Sequence, residues 1–217
     1  MTTPVFMLGV TGGSASGKTR LADALAELFE PLGGYVLSED DYYIDASEFE
    51  DFDADTFNFD EPASKDHRLL AQHLRTLKSG ASVEAPLYDF TTHTRRDVSA
   101  RRVPARILIV EGLHIFCTPE LADIFDLKVY VSAGEPIRLA RRVARDVAER
   151  ARTESSVREQ FALNVQPMHA LHVEPQKTCV DLLLENKGDP DFKAMARRVA
   201  GLCPSDIGVE INLKTGV

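Results

Sequence analysis

The amino-acid sequence predicts an α/β fold in which a five-stranded parallel sheet carries helices on both faces. Two observations predict it: short apolar runs rich in β-branched residues, typical of buried parallel strands, and helical patterns that fill the gaps between them. The predicted strands cover residues 5–10, 35–37, 107–110, 127–131 and 180–184. In such a sheet, ligands bind outside the carboxyl ends of the strands.

Apolar residues at helical spacing separate the predicted strands, and prolines or glycines end these segments. The predicted helices begin at Thr19, Leu69, Pro136 and Phe192. The acidic segment after Asp41 lacks any periodicity, which predicts a long loop or short helical turns. Residues 86–90 are predicted to be extended.

The helix that begins at Pro136 has a mixed surface. Its apolar residues fall on one face, and its arginines fall largely on the others. The apolar set is Ile137, Ala140, Val143, Ala144 and Val147, and the basic set is Arg138, Arg141, Arg142 and Arg145. The pattern predicts a helix that is apolar inside and basic outside.

Composition limits the class of protein. The chain has 217 residues, of which 44% are apolar and 27% charged, and this fits one globular domain over residues 1–217. Acidic residues outnumber Lys and Arg by 34 to 25, and the net charge of −9 argues against a nucleic-acid partner.

The three cysteines form no C-x-x-C pair and are interpreted as reduced structural thiols. No stretch approaches the roughly 20 apolar residues of a membrane span, so we expect no membrane association and a cytoplasmic location.

A glycine-rich turn follows the first predicted strand. The run GGSASGKT matches G-x-x-x-x-G-K-[ST] and lies between a strand and a helix, as the phosphate-binding P-loop requires. Its residues are Gly12, Gly13, Ser14, Ala15, Ser16, Gly17, Lys18 and Thr19. Glycines let successive amides point into one concavity, and the helix amino terminus adds its dipole. We therefore predict a P-loop NTPase fold, with Lys18 on the outer phosphates of a nucleoside triphosphate and Thr19 reaching Mg²⁺.

Two acidic residues follow other predicted strands. Glu111 stands where a second acid near the metal ion is expected. Asp40 follows the second strand, and a kinase acting on an alcohol needs a carboxylate close to the attacking hydroxyl. We predict Asp40 as this general base and interpret Asp41, its rival, as a loop acid. Because the carboxyl ends of parallel strands share one edge, both acids are expected beside the P-loop.

These residues resemble the uridine-cytidine kinase family, within the wider group that includes phosphoribulokinase. The resemblance covers roughly residues 9–184. The matching segments are GGSASGKT at Gly12, SEDDYY at Ser38, NFDEPASKDH at Asn58, PLYDFTTHTR at Pro86, IVEGL at Ile109, RRVARDVAER at Arg141 and VQPMHALHVEPQK at Val165. NFDEP and PLYDFTTHTR are specific to the nucleoside kinases, whereas the phosphate loop is shared more widely.

The resemblance implies a nucleoside-binding insertion at about residues 41–104. Asp40 would be the general base, and Asp60 would hold the ribose hydroxyls, since one carboxylate can accept from two vicinal hydroxyls. The residues lining the nucleoside pocket would be Tyr43, Phe59, Tyr88, Phe90 and His93. His93 would hydrogen-bond the edge of the pyrimidine and help to select the base.

The resemblance also implies an arginine-rich helical lid at about residues 135–165. Arg142, Arg145 and Arg150 would spread hydrogen bonds over the transferring group and the ribose. Arg152 would reach the nucleoside, and Gln160 would be a further ribose contact. Closure of such a lid excludes water from the reaction.

The implied activity is Mg²⁺-dependent transfer of the γ-phosphoryl group of ATP or GTP to the 5′-hydroxyl of uridine or cytidine, as in pyrimidine salvage. Thr19 and Glu111 would be the metal ligands, and Lys18 would act with the lid arginines in catalysis. The resemblance further implies a homo-oligomer, often a tetramer.

Some residues depart from the family pattern. Ala151 stands where a glycine is usual, and Phe161 replaces a tyrosine. The turn after Leu184 keeps only Lys187 and Gly188 of a basic diglycine turn near the adenine, which leaves the base of the phosphate donor open.

Two alternatives stay open at this point. The EGLH run at residues 111–114 is closer to phosphoribulokinase, so a phosphoribulokinase-like or other small-metabolite kinase is the second hypothesis. A pentose phosphate would need a cluster of bases, whereas the aromatic residues suit a flat nucleobase. The third hypothesis, prompted by Ala151 and the altered turn after Leu184, is a nucleotide-binding switch without transfer activity.

Overall fold

The structure is a computed structural model that describes residues 5–54, 56–149 and 152–207. The strands in these ranges are β1 (Phe6–Thr11), β2 (Tyr35–Ser38), β3 (Val83–Ala85), β4 (Tyr88–Asp89), β5 (Thr94–Arg95), β6 (Ala100–Arg102), β7 (Ile107–Gly112), β8 (Leu127–Ser132) and β9 (Leu182–Glu185). One five-stranded sheet has the order β2-β7-β1-β8-β9, and all of its neighbouring strands are parallel. Its members are the five predicted strands, which confirms the predicted sheet.

The helices lie mainly between the strands of this sheet. They are α1 (Lys18–Phe29), α2 (His67–Lys78), α3 (Pro119–Ala122), α4 (Glu135–Glu149), α5 (Glu154–Gln160), α6 (Gln166–Met168) and α7 (Phe192–Ala200). Two π-helical turns, Phe161–Val165 and His169–Val173, flank α6, and a 3₁₀ segment, Glu174–Cys179, leads towards β9. In the described part of the chain, no helix is long and apolar enough to cross a membrane.

Apolar side chains cover the sheet on both faces. One core cluster joins the α2 residues Leu70, Leu74 and Leu77 to β7 and to Phe116. The other joins apolar residues of α1 and α7 to β1, β8 and β9. Helices on both faces therefore bury the strands, and this leaves the carboxyl ends of the strands as the place for a site.

The segment between β2 and α2 has little regular structure. Short 3₁₀ turns occupy Glu39–Tyr42, Ala46–Glu48 and Pro62–Ser64, as the lack of periodicity predicted. Two small antiparallel pairs follow, β3 with β6 and β4 with β5. An isolated bridge joins Tyr43 to Lys65 and brings the two ends of the acidic segment together.

The prediction for α4 was wrong about which face is buried. Arg138, Arg142 and Asp146 have relative exposures of 2%, 7% and 0%, whereas Val147 is 45% exposed and Ala140 is also exposed. The helix turns its charged face inward because that face lies against the phosphate loop and not against the apolar core. Its periodicity identified the two faces correctly but assigned them the wrong way round.

We expect Gly9→Ala to destabilise the fold by about 1–3 kcal/mol through overpacking. A Cβ at Gly9 in β1 would lie 2.6 Å from two ring atoms of Phe116 and 2.9 Å from Phe125, and both rings are buried. Urea unfolding measures the loss. Gly201→Ala is the matched control, because the nearest atom to its Cβ would lie 3.5 Å away, and it should leave stability nearly unchanged. A Gly9→Ala protein as stable as the control would contradict this account of the packing.

Candidate active site

The predicted phosphate cradle joins β1 to α1 through a turn whose backbone favours glycine. Gly12 has a φ of +152° and Gly17 a φ of +99°, and a Cβ on Gly12 would lie 2.4 Å from the carbonyl oxygen of Val131. The Ser16 amide donates to the Gly13 carbonyl oxygen at 3.0 Å. Gly17 is the N-cap of α1, so the helix begins with its amino terminus at the loop. The geometry is that of an anion-binding turn.

The predicted metal ligands lie together at the carboxyl end of β7. Thr19 Oγ1 donates to Glu111 Oε2 at 3.1 Å, and Lys18 Nζ lies 4.0 Å from the same oxygen. Ser38 Oγ donates to Glu111 Oε1 at 2.8 Å. Burial raises the pKa of Glu111; Lys18 opposes this shift, and the Asp40 carboxylate adds to it. A hydroxyl and a buried carboxylate beside the phosphate loop are oxygen ligands that fit Mg²⁺.

Asp40 lies at the same edge, in the 3₁₀ turn after β2. Its amide donates to Ser38 Oγ at 3.2 Å, and that hydroxyl in turn holds Glu111. Its Oδ1 lies 3.1 Å from Nζ of Lys65, whose side chain has no exposed surface, while the Asp40 side chain is 39% exposed. Burial raises the pKa of Asp40, but the ammonium groups of Lys65 and Lys18 outweigh it and hold the pKa below its ordinary value. At neutral pH, Asp40 is thus an ionised carboxylate that remains partly accessible.

Glu39, which was not predicted as a site residue, anchors Lys65 from the core. Its fully buried carboxylate accepts from Lys65 Nζ at 3.0 Å and from His67 Nε2 at 2.8 Å. The backbone amides of Leu113 and His114 donate to it at 2.7 and 3.2 Å. Burial raises the pKa of Glu39, but the charge of Lys65 and the hydrogen bond from His67 hold it well below its ordinary value.

The side chains of Glu39, His67 and His114 also lie close together, with candidate metal-ligand atoms within 4.8 Å of one another. However, both Glu39 oxygens already accept hydrogen bonds, and the Lys65 ammonium is 3.0 Å from one of them. A metal ion here would displace these donors and face the charge of Lys65. We therefore interpret the cluster as a hydrogen-bonded anchor.

The predicted pocket-lining residues form one aromatic cluster. Ring centroids of Tyr43 lie 6.0 Å from Phe59, 5.1 Å from Tyr88 and 6.3 Å from Phe90. His93 stacks on Phe59 at 4.8 Å, with the ring planes 28° apart. Three unpredicted rings extend the cluster: Phe49, Phe52 and Phe57. Because Phe90 is 52% exposed, the cluster reaches the surface.

His93 combines an unusual backbone with an unpartnered side chain. Its φ is +58°, a conformation that non-glycine residues rarely adopt. Its Nδ1 is buried and makes no hydrogen bond to the described residues. Burial lowers the pKa of His93, so the ring is neutral at physiological pH and offers one donor and one acceptor.

Arg142 connects the phosphate loop to the acceptor side. Its Nη1 donates to Ser14 Oγ at 2.8 Å and lies 3.9 Å from Asp60 Oδ2. Its Nη2 donates to Gln160 Oε1 at 3.1 Å, and Arg152 donates to the same oxygen. The structure therefore brings together three of the predicted lid residues, Arg142, Arg152 and Gln160, and the predicted ribose ligand Asp60.

Two other predicted lid arginines are not part of this group. Arg145 Nε donates to Asp146 Oδ1 at 2.8 Å, and its side chain is 34% exposed. No contact in the described ranges brings Arg145 to the phosphate loop. Arg150 lies outside the described residues, as does Ala151.

The turn after β9 is attached to the phosphate loop by Arg141 and by Asn186, a residue that the sequence analysis did not single out. Asn186 Nδ2 donates to the Ser16 carbonyl oxygen at 2.7 Å. Arg141 Nη2 donates to Asn186 Oδ1 at 3.0 Å and to the Gly188 carbonyl oxygen. Lys187 is exposed and pairs with Glu185 instead. The turn is thus held against the loop through Asn186.

The site residues that the sequence analysis missed have weak sequence signals. Glu39 belongs to an acidic run, and such runs usually lie on solvated faces. Lys65 is the first basic residue after Arg20, and a single base that ends so long an acidic stretch is a signal that could have identified it. The close approach of Gly112 to Glu39, where a Cβ would lie 2.4 Å from the Cβ of Glu39, is visible only in the structure.

A P-loop, an acid beside it that could hold a metal ion and a second acid at the same sheet edge are the components expected of a phosphoryl-transfer site. The fold and the site therefore define the class of P-loop kinases.

Comparison with known proteins identifies the family. The Phosphoribulokinase / Uridine kinase family matches residues 7–192, and the chain belongs to it. The chain is 40% identical over 186 residues to the uridine kinase of Shewanella amazonensis, covering 84% of this chain and 88% of that protein. It is 37% identical over 196 residues to the uridine kinase of Deinococcus deserti, covering 89% and 95%. Phosphoribulokinase from Rhodobacter spheroides shares the fold, with a TM-score of 0.66 at 18% identity over 88% of this chain and 73% of that one.

We expect Glu39→Gln to reduce the dependence of folding stability on pH under acidic conditions. The pKa of Glu39 is lower in the folded than in the unfolded chain, so its stabilisation is present above the unfolded pKa and is lost as pH falls. Between the two pKa values the unfolded chain binds one more proton here, which amounts to about 1.4 kcal/mol per pH unit. Urea unfolding between about pH 6 and about pH 3 should give a steeper decline for the wild type.

Glu27→Gln is the control for this measurement, because Glu27 is 67% exposed and pairs only at the surface. Its stability should follow the wild-type pH profile. Equal slopes for wild type and Glu39→Gln would show that Glu39 is not held as a buried carboxylate.

Proposed function

We propose that the protein is a uridine/cytidine kinase, which transfers the γ-phosphoryl group of ATP to the 5′-hydroxyl of a pyrimidine ribonucleoside. The observation that carries the proposal is Arg142, which contacts Ser14 of the phosphate loop and lies 3.9 Å from Asp60. A donor site and an acceptor site are therefore adjacent and share one guanidinium. The family relatives named uridine kinase support the same acceptor.

The donor side uses the phosphate loop. Backbone amides of residues 12–19 and the Lys18 ammonium bind the phosphates, and Thr19 and Glu111 would hold Mg²⁺. When bound, the metal ion would neutralise charge on the phosphates. Arg142, with one hydrogen bond to Ser14 Oγ, is placed to donate to the transferring group in the same region.

The acceptor side uses Asp40 as the general base. The proton of the 5′-hydroxyl passes to the carboxylate while the hydroxyl oxygen bonds to the γ-phosphorus, and the bond from that phosphorus to the bridging oxygen breaks. Asp40 is suited to this step because it is ionised, partly accessible and near Lys18. Asp60 accepts hydrogen bonds from the ribose hydroxyls and so fixes the position of the sugar.

The aromatic cluster supports a nucleoside as the acceptor. Phe90, which is 52% exposed and packs on Tyr43 and Tyr88, offers its ring to a planar base, and such stacking suits a nucleobase better than a sugar phosphate. His93 provides the polar contact to the base, through one of its ring nitrogens.

We propose residues 41–104 as the nucleoside-binding insertion and residues 135–165 as the lid.

We expect purified protein with ATP and Mg²⁺ to convert uridine and cytidine to their monophosphates, and Asp40→Asn to reduce kcat by about 10²- to 10⁴-fold. The substitution removes the proton acceptor but keeps the shape of the side chain, so ATP affinity should change little. Release of ADP with each nucleoside, measured beside pentose phosphates and other small alcohols, identifies the acceptor. Turnover of a pentose phosphate alone would favour the phosphoribulokinase-like alternative, and ATP binding without turnover would favour the switch.

We expect Asp60→Ala to remove discrimination against deoxynucleosides. With the wild type, a nucleoside that lacks the 2′- or 3′-hydroxyl should have a kcat/KM about 10- to 100-fold lower than uridine. This factor corresponds to the free energy of one hydrogen bond to a charged group. In Asp60→Ala, uridine and the deoxynucleosides should react at similar, lower rates. Asp123→Ala, at an exposed acid, is the control and should discriminate like the wild type. Undiminished discrimination in Asp60→Ala would assign the ribose contact to another residue.

A further inference from the structure

The buried ion pair of Lys65 and Glu39 has no role in the reaction described above, although Lys65 contacts Asp40. Both paired side chains have zero exposure. Burying two charges costs desolvation energy, and well-packed apolar residues in place of such a pair are often as stable or more stable. Stability alone therefore gives no reason for a lysine at this position.

The ammonium of Lys65 is fixed in place from several sides. Its backbone is bridged to Tyr43, and its amide donates to the Pro62 carbonyl oxygen at 3.1 Å. Nζ lies 4.7 Å from the centroid of the Tyr43 ring, 3.0 Å from Glu39 Oε2 and 3.1 Å from Asp40 Oδ1. Because Glu39 is itself held by backbone amides of the turn after β7, moving the ammonium would break these buried contacts.

We propose that Lys65, anchored by Glu39, is a positioning residue that holds the general base Asp40 for the acceptor hydroxyl. This inference rests on the proposed function, in which Asp40 takes the hydroxyl proton. Lys65 binds Oδ1 of Asp40, while Oδ2 makes no hydrogen bond or ion pair within the described ranges. Oδ2 is therefore the oxygen that receives the proton, and Lys65 keeps its own protons and charge throughout.

A cation beside a general base lowers the pKa of that base. Lys65 would therefore contribute by orienting the Asp40 carboxylate and not by making it more basic. Phosphoryl transfer has a loose transition state in most analyses, and catalysis depends largely on positioning. A partly exposed aspartate can rotate about its terminal torsion, whereas one bound through Oδ1 presents a single oxygen. Fixing the carboxylate thus contributes more to the rate than greater basicity would.

The test is a charge-balanced double variant, Glu39→Gln with Lys65→Met. It removes the ammonium from Asp40 without leaving an unpaired buried charge, so the protein should fold; circular dichroism and ATP binding check this. We expect kcat to fall by about 10- to 100-fold, which is less than the loss expected when Asp40 itself is removed. KM for the nucleoside and for ATP should change by less than about threefold. Glu27→Gln with Lys193→Met removes an equivalent pair that is 67% and 68% exposed, and it should keep wild-type kcat.

Repeating the double variant in an Asp40→Asn background separates positioning from a general structural effect. If Lys65 acts through Asp40, removing the pair should cost less than about threefold in kcat once Asp40 is gone. A folded double variant with wild-type kcat, or an equal loss in both backgrounds, would overturn the inference.

These results are distinguishable from failure of the proposed function. An acceptor other than a pyrimidine nucleoside would refute the proposed substrate, and the same variants would then be compared with that acceptor. Wild-type turnover in Asp40→Asn would refute Asp40 as the base and, with it, the role of Lys65.

Discussion

The register of three parallel strands is the constraint on which the candidate active site depends. β7 lies between β2 and β1, and Glu111 is opposite Ser38 on one side and Val10 on the other. The phosphate loop leaves β1 and Asp40 follows β2, so both reach the same edge beside Glu111. In a buried strand, a slip of one residue would turn every side chain to the opposite face. The apolar cores on both faces therefore also align the chemical groups.

This constraint explains why much of the site could be predicted from sequence. The P-loop is a local pattern with a required strand and helix around it, so Lys18 and Thr19 follow from a few residues. Asp40 and Glu111 follow from their places at strand ends. Asp60 and the aromatic residues needed resemblance to a family, since no local rule gives a ribose or a base ligand. The structure brings the predicted pocket residues together, but their roles stay predictions.

Other features could not be predicted because they depend on tertiary contacts. Periodicity shows which residues of α4 share a face, but the side that turns inward is decided by what it meets. Arg138 packs on Gly13 and Arg142 donates to Ser14, so the charged face is the buried one. Lys65 and Glu39 are 26 residues apart, and the bridge at Tyr43 brings their segments together. The usual assignment of charge to solvent fails where a helix or turn covers a charged site.

The acids of this candidate site hold cations in position. Lys18 lies near Glu111, Arg142 lies between Asp60 and Asp146, and Lys65 lies between Glu39 and Asp40. Each cation is thus already ordered before a phosphate binds, so little reorganisation is needed when charge develops in the transition state. Backbone amides of Leu113 and His114 offset the desolvation of Glu39, and the hydroxyls of Thr19 and Ser38 offset that of Glu111. A chain with a net charge of −9 can therefore keep Lys18, Arg142 and Lys65 ordered in the candidate site, because its acids hold these cations in position.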